Sequence, residues 1–202
     1  TIMWENPETY ANAEGQVTEM VQRDKNRAAV ILWSVSNETP IDDARNRFLR
    51  SLIAKVRQLD PTRLLTAALE RHYSDEHTQV VDDPLGEDLD VIGVNQYVGW
   101  YDGLPAKCDS LVWDVKYEKP LVFSELGGDA KAGHHGPPEQ RWTEEYQADM
   151  YQHQIDMMRR IRVWRGLSPW ILNDFQSQSV QMIRLPPQSS VQLAPKSDEQ
   201  QS

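Results

Sequence analysis

The sequence predicts an α/β fold in which buried parallel strands alternate with helices. Two observations carry this. Residues 30–40 read VILWSVSNETP, a continuous apolar run that turns polar at Ser34, Ser36, Asn37 and Glu38 and stops at Pro40. Residues 119–128 read KPLVFSELGG, a second apolar run that ends in Ser124-Glu125 and glycines. Unbroken apolar runs of this length fit strands covered on both faces, as in a parallel sheet. Helix-length segments lie between them, and each run delivers a carboxylate at its C-terminal end. In barrels of parallel strands that end builds the active site. A single solvated glutamate there would be ordinary; two point to a glycosidase pair.

Composition bounds the chemistry. The chain has 202 residues and a net charge of −10, which argues against a nucleic-acid partner. A single cysteine, Cys108, excludes an intrachain disulfide and a thiol metal cluster. No apolar segment is long enough to span a membrane, and no signal peptide is visible. The length suits one sizeable domain but falls below the roughly 250 residues of a whole (β/α)8 barrel.

In chain order, Pro7 and a capping Asn6 open a helix whose body runs over residues 10–23, with Val17, Met20 and Val21 as its stripe. A charged turn leads into the strand at Val30. Residues 42–58 form a second helix, with Phe48, Leu49, Leu52, Ile53 and Val56 at spacings of three and four, ended by Asp60-Pro61. Residues 64–69 are a short strand that finishes at Glu70, Arg71 and His72. Residues 78–87 read as acidic turns. Residues 90–97 (DVIGVNQY) are the next strand, followed by Asn95, Gln96, Tyr97, Trp100 and Tyr101 at its end. Aromatic faces stack on sugar rings and amides bond hydroxyls, so this end is a candidate sugar rim; ordinary loop packing is the plainer alternative.

Residues 108–119 read as a short surface segment or helix before the Glu125 strand. The loop beyond Glu125 holds His134-His135, a weak metal signal because no third ligand stands at usable spacing. Thr143 caps a helix over residues 146–163, which Gly166 closes, and residues 167–175 form the last strand. Residues 178–202 are rich in Gln, Ser and Pro without a period and read as a disordered or aberrant tail.

Several stretches together resemble glycoside hydrolase family 2, the β-galactosidase and β-glucuronidase family. WSVSNE is similar to the acid/base strand four, FSELGGDAKAGHH to the nucleophile strand seven, and VNQYVGWYDG to strand six and its aromatic loop. RDKNRAAVILWS, LDPTRLLTAA and WTEEYQ stand in the family's order. The resemblance implies a partial (β/α)8 TIM barrel over residues 1–177, strands four to eight. It implies a retaining exo-β-glycosidase, β-glucuronidase-like before β-galactosidase-like. Glu38 would be the general acid/base and Glu125 the nucleophile, with carboxyls about 5 to 5.5 Å apart. Asn37 would bond the sugar 2-hydroxyl, Tyr97 would orient Glu125, and Asn95, Trp100, Tyr101 and Trp170 would contact substrate, with Trp170 as a platform. Asp174, a third carboxylate, is assigned to structure. No metal or organic cofactor is needed for this chemistry. The partner is a carbohydrate, with no membrane and no nucleic acid, and self-association as a homo-oligomer is expected from apolar edges. The isolated chain is expected to be weakly active or inactive, and prone to associate. The rival readings are a non-catalytic carbohydrate-binding remnant of the same domain and another (β/α) hydrolase pairing Glu125 with a histidine.

Overall fold

The computed structural model describes residues 3–173, and the elements below lie in the single unit formed by residues 1–170. The readings of residues 178–202 and of Asp174 fall outside the described residues. Helix α1, Pro7–Asp24, starts as expected: the Asn6 side chain accepts from the Glu8 N–H at 2.8 Å and Pro7 occupies the first turn. Strand β1, Leu32–Asn37, begins two residues later than the apolar run, so Ser34 and Ser36 are strand residues. Helix α2, Asp43–Leu59, is capped by Asp42 and buries Phe48, Leu49, Leu52, Ile53 and Val56.

Strands β2 (Leu64–Ala68), β5 (Ile92–Asn95), β7 (Leu121–Glu125) and β8 (Trp164–Leu167) join β1 in one parallel sheet of order β1-β2-β5-β7-β8. Spatial order follows chain order throughout. Every crossover therefore steps one place in the same direction, as in a barrel, with no reversal of the doubly wound kind. Trp33, Leu65, Ala67, Ile92, Val94, Leu121 and Phe123 enter one core with the helices. A groove of about 650 Å³ runs between β1 and α1, lined by Val35, Leu49 and Leu52, with Asn37 at its margin.

Three expectations are corrected. Residues 78–87 are not simply turns. Strands β3 (His72–Asp75) and β4 (Thr78–Val81) pair antiparallel, and β6 (Val112–Val115) adds to β4 in parallel. This second sheet stands where a crossover helix would be, and its Trp113 meets Phe123 edge to face at 5.0 Å. The flanking Asp75, Glu76, Asp82 and Asp83 hid the short apolar pair Val80-Val81. Cys108, in the four-residue helix α3 (Lys107–Ser110), is fully buried rather than on the surface, and that burial pushes its thiol up to about 12. Finally, α4 (Glu144–Arg159) ends earlier than read, and Gly166 lies inside β8 instead of closing the helix. Thr143 does cap α4, accepting from the Tyr146 N–H at 3.1 Å.

Asp60 ties three elements together. Its carboxylate accepts from the Thr62 hydroxyl at 2.6 Å, the Trp33 indole at 3.0 Å, the Thr62 N–H at 3.0 Å and Arg63 at 2.8 Å. The Thr62 hydroxyl first, then the Trp33 indole, hold its pKa well below the usual carboxylate range. A depressed folded-state pKa stabilises the fold above the unfolded value and loses that stabilisation as pH falls through the folded one. Stability is therefore expected to drop from about pH 4 downward. Asp60→Asn should be destabilised at pH 7 and should flatten this acid limb, read from urea midpoints at both ends of the range.

Candidate active site

The C-terminal ends of β1, β2, β5 and β7 meet in register. Asn37 pairs with Ala68, Ala68 with Gly93, and Asn95 with Glu125. Beyond the paired residues the backbone continues the lacing: the Glu38 N–H donates to Ala68 O at 3.0 Å, Leu69 to Gly93 O at 2.8 Å, and Gln96 to Glu125 O at 2.9 Å. Gly93 is required here, because a Cβ would stand 2.5 Å from the Ala67 carbonyl oxygen.

Side chains cross the same rim. The Asn95 amide donates to Asn37 Oδ1 at 3.0 Å, and Asn95 Oδ1 accepts from the Ser124 hydroxyl at 2.7 Å. The first bond passes over β2, where the small Ala68 leaves room. Asn95 is 2 % exposed, so both of its polar ends are satisfied within the protein. The Tyr97 hydroxyl donates to Glu125 Oε2 at 2.7 Å. Burial above all, then this bond, and then the charges around it, Glu38 among them, push the Tyr97 phenol far above its ordinary value. The phenol thus stays a donor.

Glu38 is exposed and takes a left-handed backbone, φ 46°. A non-glycine residue there is strained by roughly 1–2 kcal/mol, and such strain gathers at functional sites. Nothing in the sequence marks it. Its neighbour Thr39 is 8 % exposed and held by Arg45, whose Nε donates to Thr39 Oγ1 at 3.0 Å. Arg45 is wholly buried and forks onto Asp83 at 2.7 and 2.8 Å. Asp83 Oδ2 also accepts from the Glu70 N–H at 3.4 Å. One buried ion pair therefore braces the segments that follow β1 and β2.

Of the residues singled out in the sequence, Asn37, Asn95, Tyr97 and Glu125 are drawn together by hydrogen bonds, with Glu38 beside them at the same end of the sheet. The aromatic loop behaves differently. Trp100 is 6 % exposed and packs edge to face on Trp142 at 5.0 Å, under the Arg141 guanidinium at 5.4 Å. It supports the rim from beneath. Tyr101 is 77 % exposed and meets Tyr97 edge on at 5.3 Å. Trp170 is 42 % exposed, its N–H bonded to the carbonyl of Leu126, the residue after Glu125, at 2.9 Å. Two of the histidines are engaged elsewhere: His135 with Glu145 at 2.8 Å, and His72 near Asp82 at 3.5 Å. Ser124, Arg45 and Asp83 were not anticipated. Ser124 directly precedes Glu125; the Arg45–Asp83 pair, 38 positions apart, left no local signal.

The chain is similar to known proteins over most of its length. The family described as "Glycosyl hydrolases family 2, TIM barrel domain" matches residues 1–182. A β-glucuronidase of Rattus norvegicus is 34 % identical over 172 residues, which span 79 % of this chain and 25 % of that protein. A β-glucuronidase of Paenibacillus borealis is 30 % identical over 189 residues, 86 % of this chain and 29 % of that one. Among solved structures, a Ruminococcus gnavus β-glucuronidase superposes with a TM-score of 0.71 at 29 % identity, covering 88 % of this chain and 32 % of that one. A β-glucuronidase of Dictyoglomus thermophilum superposes with a TM-score of 0.66 at 30 % identity, covering 86 % and 31 %. The chain thus spans between a quarter and a third of the length of these relatives.

Proposed function

We propose, from the premise that this chain belongs to glycosyl hydrolase family 2 as part of its TIM-barrel domain, that it carries the catalytic pair of a retaining β-glycosidase acting on β-glucuronides. The observation that carries the reading is the Tyr97–Glu125 hydrogen bond at the C-terminal end of β7, in the rim where Glu38 also stands. Relatives that share this stretch are β-glucuronidases, which favours a glucuronide over a galactoside.

In the first step the Glu125 carboxylate attacks the anomeric carbon, the glycosidic C–O bond breaks, and Glu38 gives its proton to the departing oxygen. In the second, Glu38 takes a proton from water, whose oxygen displaces Glu125 and restores the starting configuration. Tyr97 holds one carboxylate oxygen of Glu125 and so leaves the other to attack. The Asn37–Asn95–Ser124 chain fixes the amide that would meet the sugar 2-hydroxyl. Tyr101 and Trp170 offer exposed aromatic faces to the sugar, and Trp100 contributes by holding Tyr101 in place.

Proton NMR of an aryl β-glucuronide during hydrolysis tests the stereochemistry. The β-anomer of the free sugar should appear first, and an initial α-anomer would refute the double displacement. Tyr97→Phe, which removes one charge-assisted hydrogen bond to Glu125, should lower kcat about 10- to 100-fold, with KM changed much less.

A further inference from the structure

Helix α4 turns one face to the loops that follow β5 and β7. From this face the Gln154 amide donates to the Val98 carbonyl at 2.6 Å, the Tyr146 hydroxyl to the Gly99 carbonyl at 2.5 Å, and the Gln147 amide to the Gly128 carbonyl at 2.7 Å. Met150 lies between them. A Cβ on Gly99 would stand 3.1 Å from its Cγ, and one on Gly128 2.9 Å from its Cε, so neither loop could carry a side chain there without moving. Residues 146, 147, 150 and 154 recur at helical spacing and share that face. Two of the carbonyls they hold follow Tyr97 directly, and the third lies three residues past Glu125.

Val98 is gripped from both sides. Its N–H donates to Gln96 Oε1 at 2.9 Å, while its carbonyl accepts from Gln154. Gln96 and Gln154 are both fully buried, and each leaves an amide atom, Gln96 Nε2 and Gln154 Oε1, without a hydrogen-bond partner. Burying unpaired polar atoms is unfavourable, but a leucine or methionine at either position would instead orphan a backbone group of Val98, which is wholly buried. The two glutamines thus close on the residue next to Tyr97 and fix both of its backbone groups.

We propose that Gln154 is a positioning residue: with Tyr146 and Gln147 it makes α4 a ruler that sets the backbone on both sides of the Tyr97–Glu125 hydrogen bond. Its value for catalysis rests on the hydrolase reading above, whereas the geometric claim does not. The full chain labelled with 13Cζ-tyrosine, its Tyr97 signal assigned through Tyr97→Phe, tests it without any sugar present. Gln154→Met keeps the volume and removes the donor. It should shift the Tyr97 resonance and bring the phenol's titration down toward the ordinary value near about pH 10. Gln79→Met is the control, because Gln79 is as deeply buried, lies on β4, and has both amide atoms unpaired; it should leave Tyr97 unmoved. An unchanged Tyr97 in Gln154→Met, or an equal displacement by Gln79→Met, would overturn the proposal. Should Gln154→Met fail to fold, Tyr146→Phe removes a single hydrogen bond to the same loop and should displace Tyr97 in the same sense; an unmoved signal there overturns it equally. A chain that never hydrolyses a glycoside can still pass this test, and an active one can fail it, so the two readings fall separately.

Discussion

Glu125→Gln is expected to lower hydrolysis of an aryl β-glucuronide by about 10⁴-fold or more, whatever the leaving group, while melting and circular dichroism stay close to the parent chain. Glu38→Ala is expected to behave differently. A proton donor matters most when the departing oxygen is basic, and general acid catalysis contributes about 10²- to 10⁴-fold. The alanine variant should approach that loss with an alkyl glucuronide and lose far less with a dinitrophenyl one. Azide, a small anion that fits where the carboxylate stood, should restore turnover of the activated substrate in Glu38→Ala and give the β-glucuronyl azide. The contrast follows from the assigned roles. In the proposed mechanism Glu125 forms a bond in every case, whereas Glu38 moves a proton whose importance depends on the leaving group. Equal losses across leaving groups for both variants would show that the roles are misassigned. The left-handed backbone at Glu38 adds a second readout. Glu38→Gly should be as inactive as Glu38→Ala and more stable than it by roughly 1 kcal/mol, since glycine adopts this conformation without strain.

The largest stability effect is expected at the buried ion pair behind the site. Arg45 and Asp83 are each fully shielded from solvent and bonded twice to one another. Arg45 is further satisfied by Thr39 and by Asn46 at 2.8 Å. Asp83 also accepts from the Leu85 N–H at 3.0 Å, and its own carbonyl accepts from the Tyr117 hydroxyl at 2.5 Å. Asp83→Ala leaves a guanidinium buried without its countercharge, a change that costs about 3–5 kcal/mol. Replacing both partners together, Arg45→Met with Asp83→Leu, removes the stranded charge and should cost clearly less than Asp83→Ala alone. Urea unfolding of the two variants beside the parent chain checks the order. The double variant also separates stability from function. Thr39 follows Glu38 and loses its Arg45 donor, so activity should remain impaired even where stability recovers.

The parts of the fold that could be read in the sequence are those whose signal is local. The amphipathic spacing of α2, the caps Asn6 and Thr143, and the apolar runs of β1 and β7 each lie within a few residues. So do the two carboxylates, because a strand that turns from apolar to polar at its C-terminal end announces itself. The second sheet could not be read in this way. β4 and β6 are four residues each, and Thr78 pairs with Val112 across 34 positions, so no window of sequence contains the evidence for both. β8 was placed too late because Gly166, a common helix stop, here occupies a strand beside Val122. At the site, residue types revealed which side chains could act, but not how they are held. The Asn95 bridge, the Arg45–Asp83 brace and the inward turn of Trp100 are products of packing between distant segments.

A nucleophilic Glu125 becomes covalently attached to the sugar, and one turnover suffices to test this. The full chain would be incubated with 2,4-dinitrophenyl 2-deoxy-2-fluoro-β-glucuronide, whose fluorine slows release of the intermediate, then digested and mapped by mass spectrometry. A single fluoroglucuronyl adduct is expected on the peptide containing Glu125, absent from Glu125→Gln. An adduct on any other residue, or dinitrophenol release with no adduct on the chain, would contradict it.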